Sequence, residues 1–119
     1  MTNIVIEWTP TFTKQLKKMD KSIKEEIIKK IEKLKENPEI GKPLGNVLKN
    51  CLEERVRKYR IIYNYYNYKL TLIYIHDKEK GSHDNALINA AKNFRLHFLS
   101  LFIDFKFITM RLIKLYFYS

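Results

Sequence analysis

The residues best suited to chemistry lie between Glu53 and Ile75, where basic, aromatic and β-branched side chains alternate. Arg55 and Arg57 are two positions apart, so one strand would send both to the same face of a sheet, and Arg60 would follow on the next strand. Guanidinium groups placed in this way can hold phosphate oxygens bidentately. The same stretch offers aromatic rings on which bases can stack, namely Tyr59, Tyr63, Tyr65, Tyr66 and Tyr68. This hairpin is therefore a candidate surface for RNA phosphate.

Two other interpretations apply to these side chains. Each tyrosine on its own is better explained by ordinary packing within the sheet. The arginines could instead pair across strands with Glu53 and Glu54. Two carboxylates cannot neutralise all of the basic groups in this stretch, however, and this favours a phosphate ligand. The basic groups are Arg55, Arg57, Lys58 and Arg60.

The whole chain is strongly basic, with a formal net charge of +10 over 119 residues. Such a charge attracts polyanions, so nucleic acid is the leading partner class and an anionic membrane surface is second. The alternative is that the lysines only keep the chain in solution. Cys51 is the single cysteine, which excludes an internal disulfide, and no Cys/His cluster has the spacing of a zinc site, so we expect no metal and no cofactor. No signal peptide is recognisable, and we expect a cytoplasmic protein.

The hydrophobic pattern predicts an α+β order of elements. Residues 3–8 read as a strand, and Pro10 suits the first turn of a helix. Apolar spacings of three and four then predict a helical hairpin that ends at Asn37-Pro38. A loop follows over residues 39–48. Three strands are predicted next, at 51–57, 59–66 and 69–76, and a short helix at 85–93.

The segment from Phe94 to Ser119 is rich in Phe, Leu, Ile and Tyr and carries few charges. Its polar residues recur at helical spacing, which predicts a helix with a thin polar stripe. We expect this helix to pack on the domain or on a second copy of the chain. Contact with a membrane interface and a poorly structured tail are the alternatives.

The strand Tyr59-Arg60-Ile61-Ile62-Tyr63 resembles the tyrosine-arginine strand of RelE/ParE-superfamily toxins. The loop Gly41-Lys42-Pro43-Leu44 and the opening Ile6-Glu7-Trp8-Thr9-Pro10, followed by a lysine-rich helical hairpin, are also similar to theirs. The resemblance covers residues 3–93. It implies a toxin domain over residues 1–93 and a hydrophobic extension over 94–119. The implied fold is a strand, a helical hairpin and a three-stranded antiparallel meander.

The resemblance implies the toxin of a type II toxin–antitoxin system, which acts as a ribosome-dependent mRNA endonuclease and is blocked by a cognate antitoxin. In that reaction the ribose 2′-OH attacks the adjacent phosphate without a metal ion, and basic side chains stabilise the developing charge. Arg60 matches the family's phosphate-stabilising arginine, and Arg55 matches a basic position on the preceding strand. Glu53 stands where some RelE proteins carry lysine.

The proton donor to the leaving oxygen has three candidates. Lys78 and Lys80 resemble a lysine-rich loop of the family, and His83 resembles the histidine of a Gly-Ser/Thr-His version, where it acts as general acid. Leu87 replaces the aromatic residue usual shortly after. The residues expected to contact RNA are Lys49, Arg57, Lys58 and Tyr63. The alternatives are a ParE-like toxin that poisons gyrase and a catalytically decayed, antitoxin-binding member.

Overall fold

The computed structural model describes residues 3–44, 50–82 and 85–95. Its elements follow in the order β1 (Val5–Trp8), α1 (Pro10–Lys17), α2 (Lys21–Glu36), β2 (Lys42–Pro43), β3 (Cys51–Val56), β4 (Tyr59–Tyr66) and β5 (Lys69–Asp77). Residues 85–95 form a further helix, α3. The predicted α+β order is confirmed. The predictions for Lys49, for His83 and for the segment after residue 95 lie outside the described residues.

The sheet has five strands in the order β1-β5-β4-β3-β2. β3, β4 and β5 form the expected antiparallel meander. β1 pairs with β5 in parallel, which is possible because the α1–α2 hairpin carries the chain across one face of the sheet before the meander begins. The parallel pairing and the two-residue strand β2 were not predicted. Because β2 pairs only with Leu52 and Glu53, no described strand covers the outer edge of β3 from Glu54 onward.

The helical hairpin packs its apolar stripes on one face of the sheet. The helix residues buried there are Phe12 of α1 and Ile27, Ile31 and Leu34 of α2. They pack against sheet residues Ile61, Tyr63, Leu70 and Leu72. α1 begins where predicted, with Thr9 as N-cap and Pro10 in the first turn. The Thr9 hydroxyl accepts a hydrogen bond from the Phe12 N–H at 3.3 Å. The other face of α2 is rich in Lys and Glu, that of α1 carries Lys14 and Lys17, and both faces meet water.

α1 also supplies hydrogen bonds to β5 where β1 ends. The N–H and the hydroxyl of Thr9 donate to the Leu72 carbonyl at 3.3 and 2.7 Å. Further along, the Gln15 side-chain amide donates to the Ile75 carbonyl at 2.9 Å and accepts from the Ile75 N–H at 2.8 Å. Side chains of α1 therefore take the place of a neighbouring strand beside the second half of β5.

Tight two-residue turns join the strands of the meander. Asn67 and Tyr68 both have positive φ, 52° and 62°, as in a type I′ hairpin turn. Arg57 and Lys58 form the turn between β3 and β4, and Arg57 has a φ of 53°. The prediction that Arg57 lies on β3 and shares a face with Arg55 is therefore wrong. β3 ends at Val56 because the hairpin turns one residue earlier than expected.

α3 covers part of the opposite face of the sheet. Leu87 and Ala90 are buried there in one cluster with Cys51, Ile62 and Ile73. Phe94 packs against the same cluster, so the helix continues past the boundary expected after residue 93. Within the described ranges, no helix combines the length and the hydropathy that crossing a membrane requires.

Candidate functional site

Arg55, Arg60 and His76 form one row across β3, β4 and β5. Arg60 lies directly opposite Arg55 on one side and opposite His76 on the other. Residues paired in this way share a face of the sheet. Ile62, two positions after Arg60, packs under α3, so the row lies on the α3 side. His76 is 5% exposed. Its place beside Arg60 was not predicted, because it depends on the register between β4 and β5.

Arg60 is held by Glu53. The Arg60 Nη1 donates to a carboxylate oxygen of Glu53 at 2.9 Å, and their side chains are 20% and 8% exposed. The cross-strand pairing weighed from the sequence is therefore present for this arginine, while Glu54 pairs instead with Lys30 of α2. The buried Nε of Arg60 has no hydrogen-bond partner within the described ranges. An oxygen ligand that accepted from this N–H would satisfy it.

Lys78 completes a group of cations with Arg55 and Arg60, which we call the cation cluster. Its backbone N–H donates to the Lys58 carbonyl at 3.0 Å, just after β5. The charge of Arg55, and then that of Arg60, lowers the pKa of Lys78, and the Glu53 carboxylate opposes this effect. The cluster thus brings three positive groups and one carboxylate together on the α3 side of the sheet. The excess of positive charge suits a bound anion.

The other predicted cations lie elsewhere. Arg57 forms an ion pair with Glu26 of α2, on the opposite side of the sheet. Lys58 bonds to Glu79 at 3.3 Å, and this contact is the main cause of its raised pKa. Lys80 lines a groove with Gln15 and Tyr59 near the end of α1, away from the cation cluster. Three proton donors were expected, of which His83 lies outside the described residues. Of the other two, the structure places Lys78 in the cation cluster and Lys80 outside it.

The expected contact between Tyr63 and RNA is corrected by the structure. Tyr63 is fully buried; its hydroxyl donates to the Pro38 carbonyl at 2.8 Å and accepts from the Gly41 N–H at 3.1 Å. Burial raises the pKa of Tyr63 to about 12. A Cβ on Gly41 would lie 2.5 Å from the Tyr63 hydroxyl oxygen, so this close approach requires glycine. Tyr63 anchors the loop after α2 and offers no ring face to a base.

The more exposed tyrosines are distant from the cation cluster. Tyr66 and Tyr68 are 66% and 52% exposed and lie at the Asn67 turn, at the other end of β4 from Arg60. Six residues of strand separate Tyr66 from Arg60, which corresponds to about 20 Å. These rings cannot stack on a nucleotide whose adjacent phosphate is held by Arg60.

Comparison with known proteins identifies both the family and the fold. The family model of the ParE toxin of type II toxin–antitoxin systems matches residues 6–77. No curated protein sequence matches the chain significantly. Among solved structures, mutant E. coli RelE toxin in the free state matches with a TM-score of 0.60 and 18% identity, over 73% of this chain and 96% of that one.

Two toxin–antitoxin complexes contain similar chains. The intact E. coli RelBE complex matches with a TM-score of 0.56 and 20% identity, over 62% of this chain and 95% of that one. The RelBE2 complex of Mycobacterium tuberculosis matches with a TM-score of 0.58 and 20% identity, over 64% and 99%. These likenesses show a shared fold. Because the family model matches more than half of the chain, this protein belongs to the ParE toxin family of type II toxin–antitoxin systems, within the RelE/ParE superfamily.

Proposed function

We propose that this toxin binds RNA phosphate at the cation cluster and is a ribosome-dependent mRNA endonuclease. The observation that carries the proposal is the cluster itself, with Arg55, Arg60 and Lys78 close together on the α3 side of the sheet. Arg60 is fixed by Glu53, and its Nε–H has no hydrogen-bond partner in the part of the chain that the structure describes. A scissile phosphate bound there would meet positive charge that is already oriented, which is the main requirement for stabilising a phosphoryl-transfer transition state.

The proposed reaction is an in-line displacement at phosphorus. The ribose 2′-oxygen gives its proton to a water molecule and forms the new P–O bond while the bond to the 5′-oxygen breaks, which gives a 2′,3′-cyclic phosphate and a 5′-hydroxyl end. Arg55 and Arg60 stabilise the charge on the phosphate oxygens. Lys78 protonates the leaving oxygen, because neighbouring cations lower its pKa and ease release of its proton. His83 is the other candidate for this last role.

We further propose that a cognate antitoxin binds this chain and covers the cation cluster. The RelBE and RelBE2 structures with the same fold are toxin–antitoxin complexes. A protein partner that blocked Arg55 and Arg60 would exclude RNA phosphate from the cluster. Co-expression with a candidate antitoxin, sought among the small proteins that reading frames next to this gene encode, would test this, since growth arrest by the toxin should then be relieved.

The activity is tested by inducing the chain in cells and mapping new mRNA ends within reading frames. Wild type should arrest growth and produce new ends, while Arg60→Gln should lower the yield of ends by roughly a hundredfold because an oriented phosphate donor is lost. Lys14→Gln, an exposed change on α1, is the matched control and should cleave normally. Unfolding midpoints of the purified variants show whether both are folded. Full cleavage by folded Arg60→Gln would contradict the assignment.

A second candidate function is gyrase poisoning, and the match to a ParE family model favours it. The Glu53–Arg60 ion pair also supports this alternative, because Glu53 takes up one guanidinium nitrogen of the arginine that RNA cleavage would use. Trapped gyrase–DNA complexes after induction, without new mRNA ends, would establish this function and exclude the first. New mRNA ends without trapped gyrase would do the reverse.

A further inference from the structure

A second basic surface lies beside the cation cluster, at the β3 edge of the sheet. It is a groove of about 300 Å³ between α2 and β3, here called the α2–β3 groove. Its α2 wall is one helical stripe, with spacings of three and four, and β3 with the following turn forms the other wall. The lining residues are Glu26, Lys29, Lys30, Lys33, Arg55, Val56 and Arg57.

Two of the five cations in this groove are neutralised, and the other three are not. Lys30 pairs with Glu54, and Arg57 pairs with Glu26. In the described part of the chain, the three remaining cations make no ion pair with a carboxylate. They are Lys29, Lys33 and Arg55, and all three are exposed. Because the two ion pairs hold the α2 and β3 walls in place, the groove is ordered and carries a net positive charge.

Arg55 belongs to both surfaces. It lines the α2–β3 groove, and its charge is the main cause of the lowered pKa of Lys78 in the cation cluster. No described strand pairs with the outer edge of β3 beyond Glu53, so the path between the two surfaces crosses an open sheet edge. Lys29 and Lys33 stand one helical turn apart, about 6 Å, along this path. The positive charge is therefore continuous from α2 to Arg60.

We propose that the α2–β3 groove binds the phosphate backbone of the RNA strand flanking the nucleotide held at the cation cluster. The proposal rests on the proposed function, because it concerns the same RNA substrate and extends its binding site from the cation cluster into the groove. Lys29 and Lys33 contact two successive phosphates. Arg55 contacts the backbone between these phosphates and the one held by Arg60. Such contacts position the strand and carry no base preference.

Fluorescence anisotropy with labelled 2′-O-methyl RNA, which cannot be cleaved by 2′-OH attack, tests the groove with the full chain. Lys29→Gln/Lys33→Gln should weaken binding of a 12-nucleotide RNA by about 25-fold at 0.1 M salt and lower the salt slope by about 1.4, as expected for two phosphate contacts to a single strand. Binding of a 3-nucleotide RNA should not change, because it fills the cation cluster alone. Both lysines are exposed helix positions where glutamine is well tolerated.

Lys14→Gln/Lys17→Gln on α1 is the matched control, since it removes the same charge outside the groove. It should weaken binding of the 12-nucleotide RNA by less than about threefold, through general charge alone. Equal losses in the two double variants, or an unchanged affinity of Lys29→Gln/Lys33→Gln for the longer RNA, would overturn the proposal.

Arg60→Gln separates the two proposals. If it weakens both RNA lengths while the groove variant binds normally, the groove proposal alone fails. If it leaves both RNA lengths unaffected, RNA binding at the cation cluster fails as well, and so does the continuous path that depends on it.

Discussion

At the scale of single residues, the Glu53 carboxylate competes with a phosphate for the Arg60 guanidinium. The pair is mostly buried, with Glu53 8% exposed, so neither charge is well screened by water. Glu53 therefore has two opposing effects: it holds Arg60 in place, and it cancels part of the charge that an anion would meet. The sequence showed only that Glu53 stands where some RelE proteins carry lysine. The structure gives it a definite partner.

Glu53→Gln should raise the affinity for a 3-nucleotide 2′-O-methyl RNA by roughly tenfold, which corresponds to about 1.4 kcal/mol. The amide oxygen can still accept from Arg60, but the competing charge is gone. The same change should lower the free energy of unfolding by about 1–3 kcal/mol, because it leaves Arg60 without its counter-charge. Anisotropy and urea denaturation measure the two effects.

The control for Glu53→Gln is Glu32→Gln, which removes an exposed carboxylate of α2 that pairs only with Lys35 in the described structure. It should change the affinity for the short RNA and the stability very little. If the two variants bound RNA equally, Glu53 would not compete with phosphate at Arg60.

Tyr63 gives a prediction for alkaline pH. Its folded pKa of about 12 lies above the usual value near 10, so the unfolded chain ionises first as the pH rises. The stabilising contribution of the neutral hydroxyl is complete below pH 10 and is lost as the pH rises through 12, at most about 3 kcal/mol. Urea denaturation of wild type and Tyr63→Phe should show wild type more stable at pH 8, with the difference shrinking above pH 10. A constant difference would contradict this.

At the scale of elements, the fold depends on α1 replacing a strand beside β5. The Gln15 amide makes both hydrogen bonds that a strand residue would make to Ile75. Gln15→Ala should lower the free energy of unfolding by about 1–3 kcal/mol, because it leaves a partly buried N–H and carbonyl without partners. Amide hydrogen exchange at Ile75 should accelerate, while Lys14→Ala, its exposed neighbour, should leave that exchange unchanged. Equal exchange in both variants would show that Gln15 does not protect β5.

Local patterns predicted the elements better than they predicted the site. The helix α2 follows from the spacing of residues such as Ile27 and Ile31, which needs no knowledge of distant residues. Arg57 was misplaced because no Gly or Asn marks the β3–β4 turn. Packing within the sheet was the better explanation for each single tyrosine, but the partners of Tyr63 could not be predicted, since Gly41 and Pro38 are more than twenty residues away in the chain. The proximity of Arg55 and Arg60 could be predicted because they lie on neighbouring strands joined by a short turn.

At the scale of the whole molecule, the two faces of the sheet differ in how they are covered. The α1–α2 hairpin covers one face, while α3 covers only part of the other. The cation cluster lies on the same face as α3, next to the buried cluster of Cys51, Ile62 and Ile73, so the packing of α3 sets the boundary between core and site. Cys51 lies under α3, 3% exposed, and burial raises the pKa of its thiol. Alkylation requires the thiolate, so this cysteine reports directly on whether α3 stays docked.

Leu87→Ala should make Cys51 react much faster with iodoacetamide at pH 8. Leu87 is 8% exposed in the same cluster as Cys51, and its truncation should weaken the docking of α3 by about 2–3 kcal/mol, which increases the population of undocked molecules at least roughly thirtyfold. Ile88→Ala is the control, because Ile88 is 52% exposed on the same helix and should leave the alkylation rate unchanged. If both variants reacted at the wild-type rate, α3 would not be the layer that shields Cys51.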